Sequence, residues 1–344
     1  MNHNRCREPG RTSRSRREQG PLREQRSHVK PASPSISVVV CAYTEERWDD
    51  IAAAIESCRA QTAAALETIV VVDHNPALLA RLRRTMQGIV AIENREAQGL
   101  SGARNSGIHA ARGEVVAFLD DDAIADPDWL ERLGAAYADP GVIGVGGSVA
   151  PLWPAGRPRA FPAEFDWVVG CTYRGMPEST SPVRNMIGAN MSLRRDLFAE
   201  IGGFRSGIGR IGKRPLGCEE TELCIRARQR WPQATILFEP SARVRHRVTP
   251  ERIRWTYFRA RCYAEGLSKV MVASHTGSRD GLASERTYAL RALPLGVLRG
   301  LRDTLTLRDL AGIARSGAIV AGLGITIVGY AAGRWSARKD GGGT

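Results

Sequence analysis

The chain has 344 residues, of which 43% are hydrophobic and 25% are charged. This composition excludes an intrinsically disordered or collagen-like chain, and the length suits one large or two small globular domains. Lys and Arg outnumber Asp and Glu by 49 to 36, which gives a formal net charge of +13.

Much of the positive charge lies in residues 1–35, which carry nine basic side chains against three Glu. The segment is poor in apolar residues, which predicts a disordered basic tail without the apolar core of a signal peptide. Contact with anionic lipid or nucleic acid is one interpretation of this charge. A merely solvated tail, or a start codon placed too far upstream, is the other.

The seven cysteines are odd in number, and none of them forms a C-x-x-C pair. This spacing argues against a zinc site and against a disulfide framework. Reduced thiols are typical of the cytoplasm, so we expect a cytoplasmic protein, with the inner face of the cell membrane as an alternative location.

From Ile36 onward, short apolar runs alternate with stretches of helical period. Apolar runs of this length predict buried strands. The predicted strands cover Ile36–Ala42, Thr68–Asp73, Gly88–Ile92, Val115–Leu119 and Val142–Val149. The predicted helices between them cover Asp49–Arg59, Ala77–Met86, Ser101–Arg112 and Asp128–Tyr137. This alternation predicts an α/β fold with a doubly wound, mostly parallel sheet.

The pattern breaks between Ala150 and Asn185, where six prolines interrupt the sequence. Irregular segments of this length in compact enzymes are often lids or binding loops. Beyond it we predict a strand at Met186–Leu193, a short helix ending at Ile201, a helix at Glu219–Arg230, and short strands at Ile236–Phe238 and Val244–His246. After Pro250 the sequence predicts helices to the end of the chain.

The stretch Ser316–Gly333 contains no charged residue and lies between Arg315 and Arg334. Its 18 residues would span about 27 Å as a helix, against a hydrocarbon core of about 30 Å. Its glycines weaken a soluble helix but are tolerated in membranes. The stretch is therefore either a membrane-associated helix, at the short limit for a complete span, or a buried packing helix.

Three carboxylates, Asp120, Asp121 and Asp122, stand at the carboxyl end of the predicted strand Val115–Leu119. Ligands of open α/β sheets bind at the carboxyl ends of the strands. Adjacent carboxylates repel each other unless a cation neutralises them, and all-oxygen sites suit Mg²⁺ or Mn²⁺. The alternative is a solvated acidic turn before the next helix.

A second cluster lies at the predicted helix start around Ser101, which Gly99 and Gly102 flank. Backbone N–H groups and the helix dipole favour an anion at such a position. Arg104 falls in the first turn of this helix, and we expect it to make a charge-assisted contact with phosphate. The alternative is an ordinary surface arginine.

Five segments in this order resemble the motifs of family 2 glycosyltransferases with the GT-A fold. They are Ser37–Glu45, Ile69–Asp73, Gly99–Gly107, Phe118–Asp122 and Gly217–Leu223. The resemblance covers about residues 36–247. It implies transfer of a sugar from a nucleotide-diphosphate donor to an acceptor hydroxyl, usually with inversion, and a divalent cation, Mn²⁺ or Mg²⁺. The implied organisation is a basic tail (1–35), a GT-A catalytic domain (36–250) and a helical C-terminal region (251–344), which is a candidate for membrane association.

The resemblance also implies roles for individual residues. The donor-binding residues are Ala42, Tyr43, Glu45, Asp73, Arg104, Asp120 and Asp121. Asp122 is the implied metal ligand, and His246 resembles a histidine that some family members add to the metal site. Asp73 is expected to contact the base and Asp120 the ribose side. From residue type alone, Asp73 is equally a turn former and His246 a structural histidine.

The implied catalytic base lies in the pair Glu219-Glu220, with Glu220 at the position usually assigned to the base. In an inverting transfer, a carboxylate removes the proton of the acceptor hydroxyl as the sugar carbon is attacked. A helix with an acidic first turn is the structural alternative. Helical periodicity does not choose between the two glutamates.

Two other functions compete with this interpretation. A sugar-phosphate nucleotidyltransferase also uses carboxylates beside such a sheet, but it would open with a glycine-rich basic loop after the first strand. A basic nucleic-acid-binding protein is the non-enzymatic alternative, although the acidic cluster argues against it. The segment Arg228–Trp231 lacks the Gln-x-x-Arg-Trp spacing of processive members. We therefore expect a non-processive enzyme, whose partners are a nucleotide-sugar donor and a saccharide or lipid-linked acceptor, with membrane contact through 316–333 and no nucleic acid.

Overall fold

The computed structural model describes residues 33–209, 216–277 and 283–340. Most of the predicted basic tail, residues 1–32, therefore lies outside the described residues. The described strands are β1 (Ile36–Ala42), β2 (Glu67–Val72), β3 (Val90–Glu93), β4 (Val115–Asp120), β5 (Ala123–Ala125), β6 (Val142–Leu152), β7 (Ser181–Pro182), β8 (Asn190–Arg194) and β9 (Thr235–Arg247). They form one sheet.

The helices lie between and after these strands. Those of the first two thirds are α1 (Trp48–Arg59), α2 (Pro76–Thr85), α3 (Leu100–Ala110), α4 (Trp129–Ala136), α5 (Leu197–Ile201) and α6 (Glu219–Arg230), with 3-10 turns at Glu45–Arg47 and Ala163–Val169. The C-terminal helices are α7 (Pro250–Ile253), α8 (Trp255–Thr276), α9 (Ala283–Thr287), α10 (Leu293–Leu307) and α11 (Ala311–Asp340), with a π-helical turn at Tyr288–Ala292 before α10.

The sheet has the order β3-β2-β1-β4-β8-β6-β9-β5, and β7 pairs with β9. The strands β3, β2, β1 and β4 are parallel. Strand β8 runs antiparallel to β4 and β6, while β6 and β9 are parallel. The predicted α/β class and doubly wound arrangement are confirmed. The parallel character is confined to one half, and the other half is mixed.

Alternate residues of the central strands enter two separate apolar cores. Val38 and Val40 of β1 pack in one core together with Ile51 of α1. Val39 lies in the other core, with Ala103 of α3 and Leu223 of α6. Because successive side chains of a strand point to opposite faces, these fully apolar runs require helices on both sides of the sheet. That requirement explains why the sequence alternates strands and helices.

The parallel register brings three strand ends together. Ala42 of β1 lies beside Val72 of β2, and Cys41 lies beside Asp120 of β4. Asp73 follows directly, and its N–H donates to the carbonyl of Ala42 at 2.8 Å. The predicted donor residues of these three segments therefore meet at one edge of the sheet.

Several element predictions need correction. The two short strands predicted at 236–238 and 244–246 are one strand, β9, because it continues along β6 through a register shift. The strand predicted from Met186 begins at Asn190, and the strand predicted to end at Val149 continues to Leu152. Strands β5 and β7 were not predicted, since each has at most three residues and no usable periodicity.

The helix α11 is held lengthwise against the rest of the protein. A side chain at Gly322 would overlap Phe165, and one at Gly266 of α8 would overlap the backbone of α11. Gly300 of α10 and Gly312 of α11 approach each other in the same way. Glycines at these close approaches let the helices pack backbone to backbone.

Candidate active site

The sheet edge holds a compact group of metal-type ligands. Asp120, Asp122 and His246 each offer a ligand atom, and these atoms all lie within 4.8 Å of one another. Asp120 ends β4, while His246 comes from β9, which pairs with β5 directly after the Asp triplet. His246 Nε2 lies 3.0 Å from Asp122 Oδ1. The topology therefore unites residues that are more than 120 positions apart in the sequence.

Two arginines contact the same carboxylate. Arg47 Nη1 lies 2.9 Å from Asp121 Oδ1 and 3.2 Å from Asp122 Oδ2. Arg252 Nη2 lies 3.3 Å from Asp122 Oδ2. Burial alone would raise the pKa of Asp122, but His246, Arg252 and Arg47 together hold it far below its usual range. Asp122 is therefore a permanent anion at the centre of this cluster.

The donor set fits a divalent cation. Two carboxylates and one imidazole form an oxygen-and-nitrogen set of the kind that Mn²⁺ accepts. The Nδ1 atom of buried His246 and the Oδ2 atom of buried Asp121 have no hydrogen-bond partner among the described residues. Such orphaned buried atoms are uncommon in proteins and call for an explanation such as an ion. The group Asp120, Asp122 and His246 is therefore a candidate metal site.

A cavity of about 230 Å³ lies beside this group at the strand ends. Of the predicted donor residues, it is lined by Ala42, Tyr43, Asp73, Asp120 and Asp121, together with Asp122. We call it the donor cavity. Glu45 is not part of its lining; this residue is exposed in the 3-10 turn after β1, where its carboxylate lies 3.9 Å from Arg81.

The carboxylate of Asp73 organises the floor of the donor cavity. Its Oδ2 atom accepts the N–H of Gly99 at 3.0 Å, and its Oδ1 atom accepts the amide of Asn94 at 2.6 Å. His74 also contacts Oδ1, at 2.9 Å, and adopts a positive φ of 52°. Asp73 thus ties the end of β2 to the glycine before α3, and both of its oxygens have a protein partner.

Arg104 lies deeper than the sequence suggested. It is almost fully buried, and its guanidinium joins Glu219 at 2.8 Å to Asp120 at 3.5 Å and to the carbonyl of Gly188 at 3.0 Å. It lines a second, larger cavity and not the donor cavity. A phosphate contact by Arg104 remains a prediction, whereas its link between Asp120 and Glu219 is observed.

Glu219 and Glu220 begin α6 and have different surroundings. Glu219 is buried and paired with Arg104, although its Oε2 atom has no partner among the described residues. Glu220 accepts a hydrogen bond from the hydroxyl of Thr221 at 3.1 Å. Burial, followed by the neighbouring charge of Glu219, raises the pKa of Glu220 to about 7. A carboxyl group that titrates near neutral pH is suited to accept a proton.

The second cavity has a volume of about 450 Å³, and both glutamates lie in its wall. We call it the large cavity. Its lining combines the proline-rich segment, including Phe165 and Trp167, with Tyr330 of α11. Leu100, Asp120 and Arg252 line both cavities. The two cavities therefore meet at the candidate metal site.

Basic and acidic groups alternate in one wall of the large cavity. Glu265 lies 2.8 Å from Arg261 and 3.0 Å from Lys269. Burial opposes ionisation of Glu265, yet these cations lower its pKa to about 2. Lys269 also lies 2.6 Å from Glu285, which pairs with Arg184. The large cavity therefore has both a cluster of charged side chains and apolar lining residues such as Phe165, Leu323 and Ile327.

Two features of the site were not predicted from the sequence. They are the arginines of the donor cavity, Arg47 and Arg252, and the charged cluster in the wall of the large cavity. Arg47 stands in a turn after β1, and Arg252 belongs to α7, which has only four residues. Neither belongs to a motif, so their roles become visible only when the fold brings them to Asp122.

Comparison with known proteins agrees with this architecture. The family model described as glycosyl transferase family 2 matches residues 37–202. A glucosyl-dolichyl phosphate glucuronosyltransferase from Haloferax volcanii is 38% identical over 238 residues, which cover 68% of this chain and 76% of that protein.

Solved structures show the same fold. The mannosyltransferase PcManGT from Pyrobaculum calidifontis, in complex with GDP-Man and Mn²⁺, has a TM-score of 0.54 and 17% identity, covering 87% of this chain and 88% of that chain. GalNAc-T7 with UDP, GalNAc and Mn²⁺ has a TM-score of 0.50 and 18% identity, covering 69% of this chain and 48% of that chain. The GT-A fold is thereby confirmed, and the chain is an enzyme that belongs to glycosyl transferase family 2.

Proposed function

We propose that the enzyme transfers a sugar from a nucleoside-diphosphate donor to a hydroxyl group of the acceptor, with inversion, and that Glu220 is the general base. The observation that carries this proposal is the junction of the two cavities at Asp120. A donor bound along the strand ends would present its sugar to the large cavity, where Glu220 lies. The acceptor then approaches from the side opposite the departing diphosphate.

The donor side is built from fixed charges. Ala42, Tyr43 and Asp73 form the wall at the ends of β1 and β2, on the side proposed for the nucleoside. Arg47 and Arg252 supply positive charge next to Asp121 and Asp122, where a diphosphate requires it. Asp120, Asp122 and His246 would hold a divalent cation, which when bound stabilises the charge of the departing diphosphate.

The transfer itself is a single displacement. The acceptor hydroxyl loses its proton to the Glu220 carboxylate while its oxygen bonds to the anomeric carbon. The bond from that carbon to the diphosphate breaks at the same time, and the nucleoside diphosphate leaves with the electron pair. Because the attack and the departure occur on opposite faces, the configuration of the anomeric carbon inverts.

We propose that Arg104 gives the two glutamates different roles. Its guanidinium pairs with Glu219 and thereby fixes the position of that carboxylate. The negative charge of Glu219 beside Glu220 helps to raise the pKa of Glu220 to about 7, after the larger effect of burial. This arrangement favours Glu220 as the base and Glu219 as a positioning residue.

The acceptor is proposed to be a lipid-linked saccharide, and one sugar is added per acceptor. The Haloferax volcanii relative is named for a dolichyl-phosphate acceptor. In this chain, the apolar part of the large cavity includes Leu323 and Ile327 of α11. The described residues contain one helix, 311–339, that is long and apolar enough to cross a membrane, by its length and composition alone.

A thermal-shift panel tests the donor proposal. UDP-glucuronic acid, UDP-glucose, UDP-GalNAc and GDP-mannose are each added with and without Mn²⁺. We expect one nucleotide sugar to raise Tm with Mn²⁺ and much less without it, since a ligand at 100 times its Kd stabilises a protein by about 2.7 kcal/mol. Equal stabilisation with and without Mn²⁺ would contradict the cation role, and no stabilisation by any nucleotide sugar would contradict donor binding.

A further inference from the structure

The helix α11 has two opposite faces that repeat with helical spacing. One face is turned into the protein and consists of small or apolar residues: Gly312, Ser316, Ile319, Gly322 and Gly329 are all buried. The opposite face is exposed and carries no charge over nearly five turns: it consists of Ile313, Gly317, Val320, Gly324, Ile327 and Ala331. An uncharged exposed face of this length is unusual on a soluble protein.

The buried face fixes how α11 can meet a membrane. Gly322, near the middle of the helix, packs against Phe165 and Phe258 of the protein body. The neighbouring helix α8 carries the partly buried charges Arg261 and Glu265. A helix that spans a bilayer crosses about 30 Å of hydrocarbon. If α11 spanned it, the charged interior of the large cavity would have to enter the hydrocarbon as well.

The preceding helix α10 continues the exposed apolar surface. Leu295, Leu298, Leu301 and Leu305 recur at helical spacing and are all exposed, and the exposed Arg302 stands among them. The two helices run antiparallel, because Gly300 lies against Gly312 and the hydroxyl of Ser316 donates to the carbonyl of Val297 at 2.9 Å. We call α10 and α11 together the C-terminal hairpin.

Positive charges stand at both ends of this apolar surface. Arg291 and Arg308 are exposed at the two ends of α10, and Arg334, Arg338 and Lys339 follow the apolar face of α11. Basic residues close to a membrane surface are attracted by anionic lipid. The combination of an apolar face with flanking cations is typical of helices that lie in the plane of a membrane interface.

We propose that the C-terminal hairpin docks in the plane of an anionic bilayer, with the exposed leucines of α10 and the apolar face of α11 in the interface, and does not cross it. Ile327 belongs both to this face and to the lining of the large cavity. The large cavity therefore opens beside the lipid surface. A lipid-linked acceptor would reach Glu220 without leaving the bilayer, a consequence that rests on the proposed function.

Vesicle sedimentation of the full chain tests docking without any substrate. Vesicles contain either phosphatidylcholine alone or phosphatidylcholine with about 40% phosphatidylglycerol, whose anionic headgroups give the surface a negative potential. We expect the protein to sediment with the anionic vesicles at least tenfold more than with the neutral ones. A protein that remains in the supernatant with both vesicles would overturn the proposal.

The variant L298Q/L305Q/V320Q removes three exposed apolar side chains of the C-terminal hairpin. The control variant is L66Q/V90Q, which changes exposed apolar residues far from the hairpin in the sequence. Leu66 and Val90 are also exposed, at 50% and 39%. We expect the first variant to lose at least tenfold in vesicle binding and the control to bind as the wild type. Equal binding by all three proteins would overturn the proposal. Circular dichroism and Tm verify that both variants fold.

Cysteine labelling separates docking from spanning. Leu310→Cys and Ser336→Cys place exposed thiols near the two ends of α11 in the full chain. In sealed membrane vesicles from expressing cells, an in-plane hairpin exposes both cysteines to an impermeant maleimide from the same side. Labelling from opposite sides would show that α11 spans the bilayer and would overturn the in-plane arrangement. Since neither measurement uses turnover, failure of this proposal is distinguishable from failure of the transferase proposal.

Discussion

The donor cavity and the large cavity are adjacent, yet the chain builds them in different ways. The donor cavity is formed by short segments at the ends of neighbouring strands, so its chemistry lies in compact sequence motifs. The large cavity is assembled from the proline-rich segment, α6 and the C-terminal helices, which are distant in sequence. Donor chemistry is therefore readable from motifs, whereas acceptor selection depends on tertiary packing.

The largest effect that this comparison predicts is on the rate of transfer. Glu220→Gln keeps the size of the side chain but removes its basicity, so kcat should fall by about 10²–10⁴. Donor affinity in the presence of Mn²⁺ should change by less than about twofold, because Glu220 does not line the donor cavity. Glu200→Gln, an exposed carboxylate on α5, is the control. A normal kcat for Glu220→Gln would assign the base to another residue.

For the donor cavity we expect the opposite result, namely that a variant changes the metal dependence of donor binding. Asp122→Asn leaves a side chain of the same size but removes the charge that His246, Arg47 and Arg252 share. Stabilisation by a nucleotide sugar should then no longer depend on Mn²⁺. Asp128→Asn, on the exposed start of α4, should leave this dependence unchanged. Unchanged metal dependence in Asp122→Asn would remove Asp122 from the metal site.

The buried ion pair between Arg104 and Glu219 in the wall of the large cavity is expected to contribute strongly to stability. Arg104→Met leaves Glu219 buried without its partner, and such a change costs about 3–5 kcal/mol. The matched control is Arg132→Met, which breaks the exposed pair with Asp128 at 2.9 Å and should cost at most about 1 kcal/mol. Both are measured by urea unfolding. Equal losses in the two variants would show that the Arg104–Glu219 pair has no special role.

The pH dependence should follow Glu220. Its pKa, raised to about 7 by burial and by Glu219, means that the proton-accepting form is lost as the pH falls. We expect kcat/KM to reach a plateau above about pH 7 and to fall about tenfold per unit below it. Burial and Asp122 also raise the pKa of Asp121 to about 7, so donor affinity is measured over the same range. A flat kcat/KM between pH 5 and 8 would contradict the base assignment.

The smallest effect concerns the acceptor side. Ile327 lines the large cavity, whereas its neighbour Val328 is equally exposed but does not. Ile327→Ala should raise KM for the acceptor by about threefold to tenfold, which corresponds to the partial burial of its side chain. Val328→Ala should change it by less. KM for the donor should stay the same in both variants. If the two variants behave alike, the apolar lining does not contact the acceptor.

Most of the fold was predictable because buried parallel strands and amphipathic helices leave strong local patterns. The strand predictions that were wrong are those in which the ends of the strand depend on its neighbouring strands. Strand β9 is continuous because β6 supports it past Pro240, and no local signal at Phe238 or Val244 shows this. The residues just before β8, 186–189, have a strand-like sequence but line the large cavity instead.

The candidate site divides in the same way. The Asp triplet was predicted as a metal site from its place at a strand end, whereas Asp73 and the pair Glu219-Glu220 were singled out by the family resemblance. The partner of Arg104 could not be found, since it lies 115 positions away. The two arginines that contact Asp122 were not predicted for the same reason. A single arginine has no recognisable sequence pattern, and its carboxylate partner is known only from the fold.

The anomeric configuration of the product tests the central claim most directly, because the proposed geometry places the acceptor and the departing diphosphate on opposite faces of the sugar. It is read by proton NMR from the anomeric proton of the transfer product. The account predicts a configuration opposite to that of the donor. A product that retains the donor configuration would contradict a single displacement with Glu220 as the base.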